Sequence, residues 1–283
     1  MTIASVVRDV RGNIEAELAT RICVRPPYFA LREASWDGHE FSAVASSEFS
    51  PPALELGPMR AAELGRHGAI AGLCALAMSQ TDSTRRYYLA NAAHYAASFS
   101  RAKHGTLLGL SARVEALTKR SGRSSIIATT LDSAETVMKL TVDYLVLPEA
   151  TFERLYRDHR QPTETLDRLV LPEAKRVSAG VRAISSVPSH LCAGHFENFP
   201  ALPLAVVVRE LSEMSGELLG KPHWVRDARV EATDLCWAGQ PVRFESALES
   251  QAASDDTSST YRCRAVGRSS SVAEMTLILS MPP

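Results

Sequence analysis

Residues 194 to 203 read Gly-His-Phe-Glu-Asn-Phe-Pro-Ala-Leu-Pro and run straight into an apolar helical pattern. They set one histidine, His195, on a loop just before two prolines and a helix start. A neutral imidazole can take a proton near pH 7. The unbonded N–H groups at a helix start favour negative charge. Side by side, the two suit proton transfer next to a carbonyl whose oxygen becomes negative. A second concentration of polar groups lies at Glu63, Arg66 and His67. Their i, i+3 and i+4 spacing puts them on one face of a helix otherwise made of Ala, Gly and Leu.

The elements around these residues repeat. In the second half, Val181–Ser189 has strand character, and the His195 loop leads into a helix at about Leu204–Leu219. Strand-like runs follow near His223–Leu235, Val242–Glu249 and Thr260–Met281, the last broken near Gly267–Ser271. The first half has the same order. A strand near Glu40–Phe49 precedes Pro51, Pro52 and Pro58, and a helix spans about Met59–Gln80. Strand-like runs follow near Arg86–Ser98, Thr106–Leu117, Ser124–Leu131 and Thr136–Leu147. Gly72 is matched with Gly216, and turn residue Gly105 with Gly239. A helical Gly costs about 1 kcal/mol relative to Ala, so Gly65, Gly68 and Gly72 are expected to mark close backbone packing. Domain limits follow as 1–147, a polar linker at 148–178 with helix signals near Ala150–His159, and 179–283. An extra helix or irregular cap is expected over the first twenty or so residues, and an exposed hairpin loop around Ala252–Ser259.

The decapeptide resembles the active-site motif of the hot-dog-fold β-hydroxyacyl-ACP dehydratases, in which His-Phe is followed by Pro at the fifth and eighth positions after the His. Phe196, Pro200 and Pro203 fill those places. Val230–Val242 (VEATDLCWAGQPV) resembles the strand–turn–strand that follows the helix in that family. The resemblance covers roughly residues 180 to 282. It implies an α+β double hot-dog: two antiparallel sheets, each wrapped around a long helix and joined as a pseudo-dimer within one chain. It implies His195 as the base that takes the α-proton of a β-hydroxyacyl thioester, carried on acyl carrier protein or CoA. It also implies a carboxylic acid from the opposite helix to protonate the leaving hydroxyl, with no metal and no cofactor. The family's acid position on the helix after His195 is Arg209, and the first half has Phe49-Ser50-Pro51-Pro52 where its own His would stand. One site per chain is therefore expected, with Glu63 as the acid and His67 as runner-up or orienting group. Phe196, Pro203, Leu204 and Arg66 are read as substrate-binding. A hot-dog acyl thioesterase is the alternative, with a carboxylate such as Glu63 activating water, and a non-catalytic acyl-binding subunit is a third reading.

The 283 residues carry 31 basic and 32 acidic side chains, a net charge of −1, so there is no global field for nucleic acid or an anionic membrane surface. Five cysteines, none close to another in sequence, suggest neither a disulfide framework nor a CxxC metal site. Cys192, near His195, is read as a buried inert thiol. No apolar run approaches the ~18 residues of a membrane span. A reducing cytoplasm and a possible homodimer of double hot-dogs are the expectations for location and assembly.

Overall fold

The computed structural model describes residues 14–50, 53–162, 165–251, 257–268 and 270–283. The expected Ala252–Ser259 loop lies largely outside these residues. So do Pro51, Pro52 and most of the expected N-terminal element, of which a helix at 14–21 (α1) is described.

In the first half, β1 (Arg32–Trp36) and β2 (Glu40–Ala45) form a hairpin that leads to helix α2 (Ala61–Met78). Four strands follow: β3 (Arg86–Ala97), β4 (Leu108–Leu117), β5 (Ser121–Thr130) and β6 (Thr136–Pro148). After a short helix α3 (Glu149–Leu155) the second half repeats the order. It has β7 (Lys175–Ser178) and β8 (Val181–Ile184), then helix α4 (Leu204–Leu219), then β9 (Trp224–Ala232), β10 (Val242–Gln251), β11 (Ser258–Val266) and β12 (Ser271–Ser280). Strands β1 and β7 carry no clear alternation, and the sequence reading missed both; β7 falls in the stretch read as linker. Each is an outer strand of the sheet, where one neighbour suffices.

Among the described residues these strands form one antiparallel sheet in the order β1-β2-β4-β5-β6-β3-β9-β12-β11-β10-β8-β7. The two halves meet at β3 and β9, where Ala93 pairs with Val230 and Tyr95 with Ala228. Each half wraps its own helix, and each has its own apolar core. This is the double hot-dog that the resemblance implied. The arrangement solves one problem for both halves. A hot-dog sheet has an open edge strand, and joining β3 to β9 pairs each edge with the other.

Close packing of α2 depends on two of its glycines. A Cβ on Gly68 would lie 2.7 Å from Leu140 Cδ2, and one on Gly72 would collide with Ser124 Oγ and sit 2.7 Å from the Tyr144 hydroxyl oxygen. Gly65 differs from the expectation, since no atom stands within 4 Å of its would-be Cβ. It borders a cavity instead of a packed strand. The matching of Gly72 with Gly216 also needs correction. Gly216 is seated against the His223 ring. The residue that faces the sheet as Gly72 does is Ser215, whose hydroxyl meets Ser246 at 2.7 Å. The match of Gly105 with Gly239 holds in conformation: both sit in the connection to the next strand with positive φ, +88° and +83°.

Candidate functional site

A cavity of about 150 Å³ lies between the two helices, over the β3–β9 junction. Its walls are mostly aliphatic. From α2 come Ala61, Ala62, Gly65, Arg66, Ala69, Ile70 and Leu73, which recur at helical spacing along one face. From α4 come Leu204, Ala205, Val207, Val208 and Ser212. His195, Phe196, Tyr28 and Asp234 also line it.

The loop carrying His195 is fixed by aromatic anchors. Phe196 and Phe199 are almost fully buried, and both meet Phe152 edge-on, with centroids 5.5 and 5.4 Å away. Phe152 in turn stacks on Tyr87 at 3.7 Å. Burying each such ring contributes roughly 1.5–3 kcal/mol. Backbone hydrogen bonds from Arg25 N to Gly194 O and from Ala238 N to Pro200 O add to this hold. Pro203 is the N-cap of α4, and with φ fixed by its ring it aims the helix start. Pro203 is buried beside the cavity but does not line it.

His195 Nδ1 lies 3.0 Å from the carbonyl oxygen of Ala201. A carbonyl only accepts, so Nδ1 carries the proton and Nε2 is left as an acceptor. Burial holds the imidazole down to about 4, against the pull of the Ala201 carbonyl. The ring is therefore neutral at physiological pH, with its basic nitrogen free. The first helical bond of α4 runs from Val206 N to Pro203 O at 2.9 Å. The N–H groups of Leu204 and Ala205 precede that bond and have no partner within the helix. Both residues line the same cavity as His195.

Glu63 and His67 take a different place. Neither lines the cavity, because helical periodicity puts them on the flank next to the cavity-facing arc. Glu63 accepts hydrogen bonds from the Glu48 backbone N at 2.6 Å and the Ser47 hydroxyl at 3.3 Å. Its carboxyl clamps the chain leaving β2 onto α2, and burial raises it to about 7. Arg66 forms an ion pair with Glu48 and sits 3.2 Å from His67 Nε2. Burial and that guanidinium push His67 well below its ordinary value. Ligand atoms of Glu48, Glu63 and His67 lie within 4.8 Å of one another, and the Arg66 guanidinium already contacts two of these residues, Glu48 and His67. Arg66 faces both sites, since it also borders the cavity.

Arg209 pairs with Glu213 at 2.7 Å, and Glu210, almost fully buried, is held by Arg182 at 3.0 Å. Arg60, the N-cap residue of α2, also pairs with Glu213 and ties the two helices together. Cys192 is buried, and its thiol is pushed up to about 12, which makes it unreactive. The sequence reading passed over Asp234 and Tyr28. Asp234 stood unremarked inside the VEATDLCWAGQPV segment, and Tyr28 has no local signal at all.

No protein-family model matches the sequence, and no curated protein does. Solved structures do resemble it. An acyl-ACP thioesterase from Bacteroides thetaiotaomicron superposes with TM-score 0.57 at 10% identity, covering 85% of this chain and 98% of its own. The 12:0-ACP thioesterase from Umbellularia californica gives 0.56 at 12% identity, covering 90% and 99%. A tesB protein from Mycobacterium avium subs paratuberculosis gives 0.54 at 11% identity, covering 96% and 100%. The likeness is one of fold, and the described residues of the chain form a double hot-dog. Among the described residues, no helix is long and apolar enough to cross a membrane.

Proposed function

We propose that this protein hydrolyses acyl thioesters. The observation that carries the reading is the joint placement of His195 and the α4 start on one apolar cavity. Nε2 of His195 takes a proton from water as the water oxygen bonds to the thioester carbonyl carbon. The N–H groups of Leu204 and Ala205 hold the oxygen that becomes negative. Collapse breaks the carbon–sulfur bond, and the departing thiolate takes the proton back from the imidazolium. The acyl chain lies along the aliphatic wall formed by α2 and α4. Solved structures of like fold that bear thioesterase names are in keeping with this, at the level of analogy.

Dehydration, which the motif suggested, needs a proton donor opposite His195, and the α2 face of the cavity presents no carboxylate. Asp234 supports it as a second reading, since this residue is among those that line the same cavity. It already accepts hydrogen bonds from Leu235 N and Ser270 Oγ, at 2.8 and 2.7 Å.

Acyl-CoA, acyl-carrier-protein and β-hydroxyacyl-CoA thioesters, assayed separately for thiol release and enoyl formation, distinguish the two. Thiol release that falls by roughly 10²–10⁴ in His195→Ala supports hydrolysis by this site. Enoyl formation lost in Asp234→Asn would replace it with dehydration. In wild type, kcat/KM should hold down to about pH 4, where His195 gains its proton. A fall centred at an ordinary histidine value would place the essential base elsewhere.

A further inference from the structure

We infer that the Tyr28 hydroxyl is a catalytic hydrogen-bond donor, directed at the substrate oxygen that gains charge beside His195. This deepens the hydrolysis reading and rests on it. Tyr28 lies on the strap of chain that follows α1, residues 22–31, which runs over the His195 loop. The backbone joins them: Arg25 N donates to Gly194 O at 2.8 Å. Gly194 has φ +74°, and a Cβ there would collide with the Arg25 carbonyl and lie 2.8 Å from Tyr28 N. The absence of a side chain is what lets the strap come this close.

The approach brings two rings together. Tyr28 and His195 meet edge-on, with centroids 5.0 Å apart at 60°. The Arg66 guanidinium carbon stands 5.6 Å from the Tyr28 centroid, and Arg66 Nη1 donates to the Tyr28 carbonyl at 3.4 Å. The ring is therefore held by contacts with both His195 and Arg66. Tyr28 is 7% exposed, and what remains of its surface borders the cavity. A buried phenol nearly always finds a hydrogen-bond partner. Among the described residues the Tyr28 hydroxyl has none. Its nearest chemical counterpart shows the contrast: Tyr144, also on the cavity wall, donates to the Ala69 carbonyl at 2.7 Å. Tyr28 is the phenol beside His195 that is left open to a ligand.

The role that fits is donation without proton loss. Burial pushes the Tyr28 phenol up to about 12, opposed by the Arg66 cation. The O–H bond stays intact while the neutral His195 beside it takes the proton of water. One residue supplies the donor and the other the acceptor, from two distant parts of the chain. This pairing explains why the cavity can work without a carboxylate on α2.

Tyr28→Phe removes the oxygen and keeps the ring between His195 and Arg66. In the full-length protein, kcat for a saturated acyl-CoA should fall roughly 10²-fold, with KM within about twofold, because the bond forms with a charge that only the transition state bears. A trifluoromethyl ketone analogue of the acyl-CoA, which mimics the tetrahedral oxyanion, should bind the variant weaker by a similar factor. A thioether analogue lacking the carbonyl should bind both proteins alike. Thermal unfolding should be unchanged. Retention of kcat within about threefold, or equal ketone binding by both proteins, overturns the inference. Failure of the underlying reading looks different: wild type would turn over no thioester, while the ketone would still discriminate Tyr28 from Phe. A wild type that binds neither analogue refutes both.

Discussion

The two helix starts, at equivalent positions in the two halves, are built differently. At α2, the N–H of Ala61 is taken by the carboxylate of Glu55, at 2.6 Å. At α4, Leu204 and Ala205, whose N–H groups have no partner within the helix, line the same cavity as His195. The helix faces differ as well. Aligned on their first residues, Gly65, Gly68 and Gly72 of α2 correspond to Val208, Leu211 and Ser215 of α4. Arg66 and His67 correspond to Arg209 and Glu210. The duplicated fold has thus been divided in labour. The first half gives a thin helix that makes room for a ligand and approaches its sheet closely. The second half gives the charged clamp and the base, His195. Duplication supplies two equivalent cradles, but a single chain needs only one of them to stay open.

The largest test of this contrast is Gly194→Ala. A side chain at that positive φ must push the strap off the His195 loop, because the atoms it meets are backbone. We expect a loss of roughly 2–4 kcal/mol in urea unfolding, and a fall in thiol release of at least tenfold. Full activity would show that the strap and the loop work independently, and the contrast between the halves would then lie in the helix starts alone.

Glu55→Gln tests whether the closed helix start takes part. Thiol release should stay within about twofold, and a large loss would make α2 part of the site. The stability effect has a definite sign. Burial raises Glu55 from 4.5 to about 7, despite the Ala61 N–H. Between those values the folded protein holds more protons than the unfolded chain, so this group's stabilisation declines as pH rises. The Gln variant lacks that decline. Its stability relative to wild type should improve by roughly 1–3 kcal/mol from pH 4.5 to 7. A difference that is flat with pH would mean Glu55 is ionised throughout.

The smallest effect is expected at Gly65. Nothing crowds its would-be Cβ, so Gly65→Ala should stabilise α2 by about 0.5–1 kcal/mol through helix propensity. The added methyl group enters the cavity, and activity should shift towards shorter acyl chains. Destabilisation would show that Gly65 packs like Gly68 and Gly72 after all.

Much of this was present in local sequence. Periodicity located both long helices; α4 spans Leu204–Leu219 as read, and α2 is shorter than read by two residues at each end. The repeated order of elements implied the paired fold, because strand and helix patterns are properties of short windows. His195 and its position before a helix start were also legible, since prolines and an apolar run mark that junction.

Partners were not legible. Glu63 is near an expected position along α2, yet each residue turns a helix by about 100°, and Glu63 faces the β2 exit instead of the cavity. The tautomer of His195 depends on a carbonyl six residues away, and its low proton affinity depends on burial by both halves. Tyr28 meets His195 only because Gly194 lets two chain segments touch, 166 positions apart in sequence. The sequence determined which elements form and where one histidine stands. The tertiary structure decided what faces it, because a cavity is made by surfaces that no single segment contains.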